Sequence, residues 1–214
     1  MLFWVYEAAK AVVDDVCIVV GYGADKVMAE MGPHCMYALQ KQQLGTGHAV
    51  QQALAAFEEL PRYIVVLCGD APLLSSKTVK DLCDKTISDN AACTVLTAVL
   101  DDGGSYGRIV RDKDGFVNAI VEAKDATVEQ LAIREINSGV YCFDSQWLNK
   151  VIYSLTPNNE QGEYYLTDVL EAIRKLGGKI NSVICHDADE ILGVNDQTQL
   201  ACVDEILRNR NVAL

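Results

Sequence analysis

The chain has 214 residues, half of them hydrophobic, which is enough to bury one sizeable core but too little for two full domains. Its formal net charge of −12 argues against nucleic acid or an anionic membrane as a partner, because either would require a basic face. No apolar run approaches the roughly 20 residues of a membrane span, and the N-terminus lacks the basic start and small-residue cleavage site of a signal peptide.

The eight cysteines are scattered along the chain without a Cys-x-x-Cys pair, and most lie in apolar, strand-like runs. Zinc sites and disulfide frameworks normally show closely spaced pairs or an extracellular context. We therefore expect reduced thiols in a cytoplasmic protein.

The first hundred residues alternate between helical and strand patterns. Two continuous apolar runs, residues 16–20 and 63–67, are typical of strands buried on both faces of a parallel sheet. The ligand crevice of such a sheet lies at the carboxyl ends of its strands. In chain order we predict helix 1–13, strand 16–20, helix 25–31, strand 34–39, helix 49–57, strand 63–67, helix 77–88 capped by Ser75 or Ser76, and strand 92–100.

From residue 101 the pattern changes to that of a β-rich insertion. Residues 103–110 and 116–121 flank a turn and predict an antiparallel hairpin. Together with the first half, this predicts one mixed α/β domain over residues 1–214, with a Rossmann-like mixed sheet flanked by helices. The remaining predicted elements are a short helix near 127–131, strand 136–143 with a polar break at its start, helix 147–155, an amphipathic helix ending at Gly177, strand 180–186, a connector over 190–195 and a last helix over 196–209.

One strand is missing from this pattern. An opening helix that feeds a buried parallel strand normally completes a strand-helix-strand unit, and no strand precedes this helix. We expect the sheet to lack a strand beside residues 16–20 and 63–67. The exposed apolar edges would then drive self-association into a homo-oligomer, or aggregation.

Three loops follow predicted strands and offer the polar groups of a site. The first, the Gly-Thr-Gly loop, covers residues 40–49 and reads Gln-Lys-Gln-Gln-Leu-Gly-Thr-Gly-His-Ala. Its glycines let backbone N–H groups approach a ligand, and its Gln and Thr side chains both donate and accept hydrogen bonds. This suits a nucleotide base or phosphate, although a Gly-x-Gly before a helix is also an ordinary helix start. His48 has no Ser or Cys nucleophile nearby, and we interpret it as a loop or core histidine.

The other two loops carry oxygen ligands. Asp70 follows a buried strand at the ligand edge, where a carboxylate is costly unless it binds a cation or a hydrogen-bond network; the alternative is a turn-forming Gly-Asp before Pro72. Asn195 either completes a hard oxygen site with Asp70 or caps the last helix, and the residues alone favour the cap. Four further residues each have two possible roles. Glu122 and Lys124 are either ligand contacts or part of an exposed charged turn. Tyr164 and Tyr165 are either ligand contacts or packing residues at a helix start.

Seven motifs occur in the order seen in one enzyme family. Two are long: the Gly-Thr-Gly loop itself and Gln-Gly-Glu-Tyr-Tyr-Leu-Thr-Asp at residues 161–168. Over nearly the whole chain the set resembles the N-acetylglucosamine-1-phosphate uridylyltransferases, which are the pyrophosphorylase domains of bifunctional GlmU enzymes in the sugar-nucleotidyltransferase superfamily. The shorter motifs are at residues 69–73, 106–109, 120–126, 135–139 and 193–195.

The resemblance implies a Mg²⁺-dependent reaction of UTP with N-acetylglucosamine 1-phosphate, which yields UDP-N-acetylglucosamine and pyrophosphate for cell wall peptidoglycan. A sugar-phosphate oxygen would attack the α-phosphorus in line, without a covalent intermediate. The implied parts are a nucleotide-binding part over residues 1–100, a sugar-binding part over 101–195 and a C-terminal helix over 196–214. The implied site residues are Asp70 and Asn195 for catalysis and the metal, Gln40, Gln43, Gly45, Thr46 and Gly69 for the nucleotide, and Gly107, Glu122, Asn137, Tyr165 and Thr167 for the sugar phosphate.

Three features depart from the family pattern. The family opens with a strand and a glycine-rich loop whose arginine and lysine wrap the triphosphate. This sequence instead starts within the segment that follows that loop. The family's C-terminal β-helix is also absent, and Cys68 stands where a tyrosine is common. We therefore expect a uridylyltransferase with little or no turnover. The alternative is a non-catalytic remnant that binds a sugar phosphate or nucleotide, or that serves in a larger assembly.

Overall fold

Helices and strands follow the predicted order along the chain. The computed structural model describes residues 1–212, and the predicted mixed α/β class is confirmed; residues 213 and 214 of the predicted C-terminal segment lie outside the described residues. The helices are α1 Leu2–Lys10, α2 Ala24–Met31, α3 Thr46–Leu54, α4 Ser76–Ser88, α5 Val128–Leu131, α6 Ser145–Val151, α7 Asp168–Lys175 and α8 Gln197–Val212, with 3-10 turns at Ile152–Ser154 and Ala188–Ile191. The strands are β1 Cys17–Val20, β2 Met36–Leu39, β3 Tyr63–Val66, β4 Cys93–Val99, β5 Arg108–Arg111, β6 Val117–Val121, β7 Glu135–Asp144 and β8 Ile180–Ile184.

The larger sheet is organised by β7, a strand of 10 residues. It pairs antiparallel with β3, β4 and β5, while β8 joins β4 in parallel and β6 joins β5 as the predicted hairpin. Helices cover both faces of this sheet. Phe143 packs with residues of α6 and α7 in one core cluster, and Leu96 packs with Leu82 of α4 in the other. Because both faces of the sheet are covered, β4 is buried along nearly its whole length.

The polar break predicted at the start of β7 is a bulge within the strand. The pairing with β4 shifts between Val95 and Thr97, and Gly139 adopts a φ of +78°. The Ser138 hydroxyl donates to the Leu96 carbonyl at 2.7 Å and accepts from the Val140 N–H at 3.2 Å. The serine thus satisfies the backbone groups that the bulge leaves without a ladder partner.

Two expectations about the first half are wrong. The strands of residues 1–100 do not form one parallel sheet: β1 and β2 form their own two-stranded parallel sheet, and β3 pairs with β7 instead. Nor is β3 buried on both faces, since all four of its residues are partly exposed. The exposure of β3 reflects its position, because β1 and β3 both border one cavity and do not pair with each other.

Two remaining properties concern the chain as a whole. All eight cysteines are free thiols, in keeping with the expected reduced state. Among residues 1–212, no helix has both the length and the apolar character needed to cross a bilayer.

Candidate functional site

The Gly-Thr-Gly loop is bonded to the loop of residues 161–167, which we name the Tyr-Tyr loop. The Gly47 N–H donates to the Tyr164 carbonyl at 2.7 Å, and the Leu166 N–H donates to the Thr46 hydroxyl at 3.0 Å. These bonds join two motifs that are about 120 residues apart in the chain. The two longest motifs therefore form one wall of the site.

Gly45 is needed where the two loops meet. Its φ is +104°, a conformation that side chains other than glycine rarely adopt. A Cβ added there would lie 2.8 Å from the Tyr164 carbonyl oxygen and 2.9 Å from the Glu163 Cβ. The glycine therefore permits the close approach of the loops, whatever it contributes to a ligand.

The amide of Gln40 is held inside the Gly-Thr-Gly loop. Gln40 is buried, with 8% of its surface exposed, and its Nε2 donates to the Gly45 carbonyl at 3.1 Å and lies 3.1 Å from His48 Nδ1. The other ring nitrogen of His48 lies 3.3 Å from the Gln52 amide. His48 is thus bonded to the predicted base-binding residue, a role that the sequence pattern did not indicate.

Gln43 lies beside Gln40 but is engaged differently. Its Nε2 donates to the Gln40 backbone carbonyl at 3.0 Å. A Cβ at Gly21 would come within 2.6 Å of the same nitrogen, so the loop that follows β1 packs closely against this amide. The two predicted nucleotide-binding glutamines therefore sit together where β1 and β2 end.

Asp70 and Asn195 come together around Gly193. The Val194 N–H donates to the Asp70 carbonyl at 3.0 Å. Asp70 Oδ2 and Asn195 Nδ2 lie 3.6 Å and 3.8 Å from the position that a Cβ on Gly193 would occupy. Helix α8 is capped instead by Asp196, whose carboxylate accepts from the Gln199 N–H at 2.8 Å. Of the two roles left open for Asn195, the helix cap is therefore provided by the following residue instead.

The donor set at this place fits a hard divalent cation. Mg²⁺ usually takes one or two protein oxygens and fills the rest of its shell with water and substrate phosphates. Asp70 and Asn195 supply a carboxylate and an amide oxygen. Within residues 1–212 there is no group of three His, Cys, Asp or Glu side chains placed to hold a metal, so a cation here would depend on ligand oxygens for most of its coordination.

Tyr106 ties the loop that carries Asn195 to the hairpin. Its hydroxyl donates to the Ile191 carbonyl at 3.2 Å and accepts from the Gly193 N–H at 3.4 Å. The Tyr-Gly-Arg-Ile motif contained this residue, but nothing in its spacing assigned it a role. The hydroxyl fixes the loop of Asn195 relative to the residues predicted to bind the sugar phosphate.

Arg108 has a structural part in the same motif. Only 3% of its surface is exposed, and its guanidinium donates to the carbonyls of Gly103, Gly104 and Leu131 at 3.1 to 3.3 Å. Such a buried cation is satisfied only if its donors are used. Arg108 therefore shapes the loop before β5 and is not available to a phosphate.

A pocket of polar side chains is formed by residues predicted to bind the sugar phosphate. The Thr167 hydroxyl donates to Glu122 Oε1 at 3.1 Å, and the Asn137 N–H donates to the Gly107 carbonyl at 2.8 Å. A Cβ at Gly107 would lie 3.1 Å from Ile120 and 3.4 Å from Glu122 Oε2, so the glycine keeps the carboxylate accessible. Burial raises the pKa of Glu122, and the negative charges nearby add to this, while the Thr167 hydrogen bond opposes it.

Tyr165 is a buried packing residue and does not line the cavity. Only 7% of its surface is exposed, and its hydroxyl accepts from Gln161 Nε2 at 2.8 Å. Burial is also the main reason that its pKa is raised. Its position agrees with the packing interpretation, with its hydroxyl at the Tyr-Tyr loop.

Cys68 forms part of the cavity floor. Its thiol donates to the Gly139 carbonyl at 3.4 Å, and a Cβ at Gly139 would stand 2.6 Å from the sulfur. Burial, followed by the Asp70 charge, raises the pKa of Cys68 to about 12. The thiol is therefore protonated at neutral pH and is unsuited to nucleophilic attack.

One cavity of about 830 Å³ brings most of these groups together. No Lys or Arg lines it within the described part of the chain, whereas Asp70 and Glu122 do. Gln40, Gln43, Gly45 and Tyr165 are not among its lining residues. The predicted site residues that line it are Thr46, Gly69, Asp70, Gly107, Glu122, Asn137, Thr167 and Asn195.

Comparison with known proteins gives a family and a fold. The family described as "Nucleotidyl transferase" matches residues 9–209. The "Bifunctional protein GlmU" of Acetivibrio thermocellus is 46% identical over 208 residues, which are 97% of this chain and 45% of that protein. Its counterpart in Geobacillus thermodenitrificans is 45% identical over 204 residues, 95% of this chain and 44% of that protein. The chain thus spans less than half the length of these relatives.

Among solved structures, HddC from Yersinia pseudotuberculosis complexed with GMP-PN gives a TM-score of 0.63. The match covers 96% of this chain and 83% of that chain at 17% sequence identity. A second crystal structure of HddC from the same organism gives a TM-score of 0.58, over 85% of this chain and 72% of that chain. At such identities the likeness establishes the fold alone.

Proposed function

The chain belongs to the nucleotidyl transferase family, and we propose that it is built for the transfer of a uridylyl group from UTP to N-acetylglucosamine 1-phosphate, forming UDP-N-acetylglucosamine and pyrophosphate. The observation that carries this proposal is the placement of Asp70 and Asn195 in one cavity with the Glu122–Thr167 pair. A proposed cation site, which would hold the phosphates, and a polar pocket for the sugar thereby belong to the same cavity. The GlmU relatives, at 46% and 45% identity, supply the choice of substrates.

Asp70 and Asn195 would hold a divalent cation, proposed as Mg²⁺. Such a cation, when bound, neutralises phosphate charge and orients the phosphates. The Gln40 amide oxygen would accept from the base, and Glu122, Asn137 and Thr167 would bind the sugar hydroxyl and amide groups. No nucleophilic side chain is required, because a sugar-phosphate oxygen is itself a competent nucleophile once it is positioned.

We further propose that turnover by this chain is slow or absent. A triphosphate carries several negative charges, and the cavity offers no Lys or Arg from residues 1–212 to meet them. Preorganised positive groups around transferring phosphates are commonly worth several kcal/mol of barrier. The same observation favours a second candidate function, in which the chain binds a nucleotide or sugar phosphate without converting it.

Two measurements test these functions. Pyrophosphate release from UTP and N-acetylglucosamine 1-phosphate with Mg²⁺ should stay near background, and robust release that Asp70→Ala abolishes would overturn the claim of slow turnover. Binding of UDP-N-acetylglucosamine, followed by calorimetry, should require Mg²⁺ and be lost in Asp70→Ala. Asp114→Ala, which changes an exposed carboxylate of the hairpin turn, is the matched control. Absence of both binding and turnover in the folded wild-type chain would contradict the proposed substrates.

A further inference from the structure

Tyr106 lies where the two parts of the proposed site meet. It lines the cavity and is followed directly by Gly107. Its ring is partly buried against the core cluster that contains Leu96 and Ile191, and its hydroxyl bonds to the connector that carries Asn195. The side chain of one residue therefore holds the connector, while the backbone of the next residue belongs to the pocket predicted for the sugar phosphate.

The Tyr106 hydroxyl spans a turn of the connector. It donates to the Ile191 carbonyl at 3.2 Å and accepts from the Gly193 N–H at 3.4 Å. Gly193 in turn lies between the two proposed cation ligands, since a Cβ at this position would stand 3.6 Å from Asp70 Oδ2 and 3.8 Å from Asn195 Nδ2. The hydroxyl therefore fixes the backbone between the two groups whose spacing decides whether a cation fits.

The backbone at Tyr106 is held from the pocket side as well. The Gly107 carbonyl accepts from the Asn137 N–H at 2.8 Å, and a Cβ at Gly107 would lie 3.4 Å from Glu122 Oε2. The buried guanidinium of Arg108 also donates to the Tyr106 carbonyl. A ligand that contacts Glu122 or Asn137 therefore orders the backbone that carries the Tyr106 side chain.

The two bonds of the Tyr106 hydroxyl are long. Hydrogen bonds are commonly about 2.5–3.0 Å from an O–H donor and about 2.7–3.2 Å from an N–H donor, and both bonds exceed these ranges. They leave the connector some freedom of movement. Binding in either part of the cavity removes freedom that binding in the other part would otherwise have to remove, which makes the two events cooperative and their coupling reciprocal.

We propose that Tyr106 is a positioning residue that couples the cation site to the sugar pocket, so that occupation of the sugar pocket raises the affinity for the cation. The inference rests on the proposed function, because it takes Asp70 and Asn195 as cation ligands and Glu122 as a sugar contact. Attraction between a cation and phosphates couples their binding without any help from the protein. A test must therefore hold the phosphate charge constant.

The test compares two ligands of equal phosphate charge on the complete chain. UDP-N-acetylglucosamine fills the sugar pocket, whereas the methyl ester of UDP has the same phosphate charge and no sugar. Calorimetric titration of each ligand at a series of Mg²⁺ concentrations gives the Mg²⁺ concentration at which binding is half-maximal. In the wild type this concentration should be about fivefold lower with UDP-N-acetylglucosamine than with the methyl ester.

Tyr106→Phe keeps the ring and removes the hydroxyl, so the two Mg²⁺ concentrations should become equal within about twofold. Tyr153→Phe is the matched control, because it removes an exposed hydroxyl outside the cavity and should keep the fivefold difference. If Tyr106→Phe weakens both ligands equally and keeps that difference, the hydroxyl is merely structural and the proposal is overturned. Unchanged binding in this variant overturns it as well.

Failure of the proposed function would be recognised in the wild type. A folded wild-type chain that binds neither ligand at any Mg²⁺ concentration would refute the proposed function and the coupling together. A wild type that binds both ligands in a Mg²⁺-dependent manner, but with equal Mg²⁺ requirements, would refute the coupling alone.

Hydrogen exchange tests the same contact without a substitution, should Tyr106→Phe fail to fold. The probe is N-acetylglucosamine 1-phosphate at about ten times its Kd, without any divalent cation. Exchange of the Gly193 amide should slow several-fold, because its acceptor is the Tyr106 hydroxyl. The Phe116 amide, which is bonded within the hairpin turn outside the cavity, should not change. Unchanged exchange at Gly193 in a chain that binds the sugar phosphate would overturn the proposal.

Discussion

At the scale of single residues, the hydrogen bonds of the Gln40 amide limit what it can offer to the proposed ligand. Its Nε2 donates to the Gly45 carbonyl, and the nearby His48 Nδ1 must then be the acceptor of the same amide. This leaves Gln40 Oε1 as a hydrogen-bond acceptor, which suits the imide N–H of uracil. Under the proposed function the histidine is a positioning residue, because it would act on the base only through the glutamine.

His48→Phe should weaken uridine nucleotide binding about fivefold, because the loss of one partner of the Gln40 amide costs roughly 1 kcal/mol. Calorimetry with UDP and Mg²⁺ measures the effect. His34→Phe makes the same replacement at an exposed histidine outside the cavity and should bind as the wild type does. If the two variants have equal affinities, His48 does not position Gln40.

Glu122 should lower the stability of the protein as the pH rises. Its folded pKa is raised, first by burial, so above about pH 4 the folded state holds a proton that the unfolded state has lost. Stability then falls with pH until the raised pKa is passed. Glu122→Gln removes this effect, so the variant should gain free energy of unfolding relative to the wild type between acidic and neutral pH.

Glu129 gives a control of opposite sign for this measurement. Its pKa is lowered, first by a backbone hydrogen bond at the start of α5, so its contribution is present at neutral pH and is lost as the pH falls through the lowered value. Glu129→Gln should therefore cost stability at neutral pH and none in acid. Urea unfolding in acid and at neutral pH measures the stability of both variants. If stability changes with pH in the same direction for Glu122→Gln and Glu129→Gln relative to the wild type, the assigned pKa directions are wrong.

At the scale of elements, sequence patterns identified most helices and strands but, apart from the β5–β6 hairpin, not which strands pair. Ser75 or Ser76 was expected to cap α4, and the Ser75 hydroxyl does accept from the Thr78 N–H at 3.1 Å. The apolar run of β3 was recognised as a strand, yet its pairing with β7 was not. The reason is physical, since an apolar run reports burial, while pairing depends on the partner edge that is available far away in the chain.

The same limit applies to the candidate site. Its residues could be picked out because they belong to motifs, but their mutual placement depends on contacts between distant loops. The choice between a ligand and a cap for Asn195 was open until Asp196 was seen to accept from Gln199. The bond between His48 and Gln40 crosses from a loop to a helix, and residue type alone does not indicate it.

The bulge in β7 gives a stability prediction at this scale. Ser138→Ala removes a buried hydroxyl that serves both the Leu96 carbonyl and the Val140 N–H, which should cost about 1–3 kcal/mol of unfolding free energy. Thr94→Val on the adjacent strand is the matched control. The Thr94 hydroxyl is buried without a partner in the described chain, so its replacement by an isosteric apolar group should be neutral or stabilising. Urea unfolding measures both variants. If Thr94→Val lowers the free energy of unfolding more than Ser138→Ala does, this account is wrong.

At the scale of the whole molecule, charge is the dominant constraint on ligand binding. The net charge is −12, and the cavity is lined by carboxylates such as Asp14, Asp15 and Asp70 without a Lys or Arg from the described residues. The proposed ligands are also anionic. Their binding must therefore overcome the field of the protein, and a divalent cation is the obvious means.

This charge balance predicts an unusual dependence on salt. Most anion sites lose affinity as salt rises, because screening weakens their attraction for the ligand. In this protein, the affinity for UDP without divalent cations should instead stay constant or increase between 50 and 300 mM NaCl, since screening reduces a repulsion. Uridine carries no charge, so its binding should not respond to salt and serves as the control in the same calorimetric titrations. A marked loss of UDP affinity at high salt, with uridine unaffected, would mean that cationic groups of the chain do reach the phosphates, and the inference of slow turnover would fail with it.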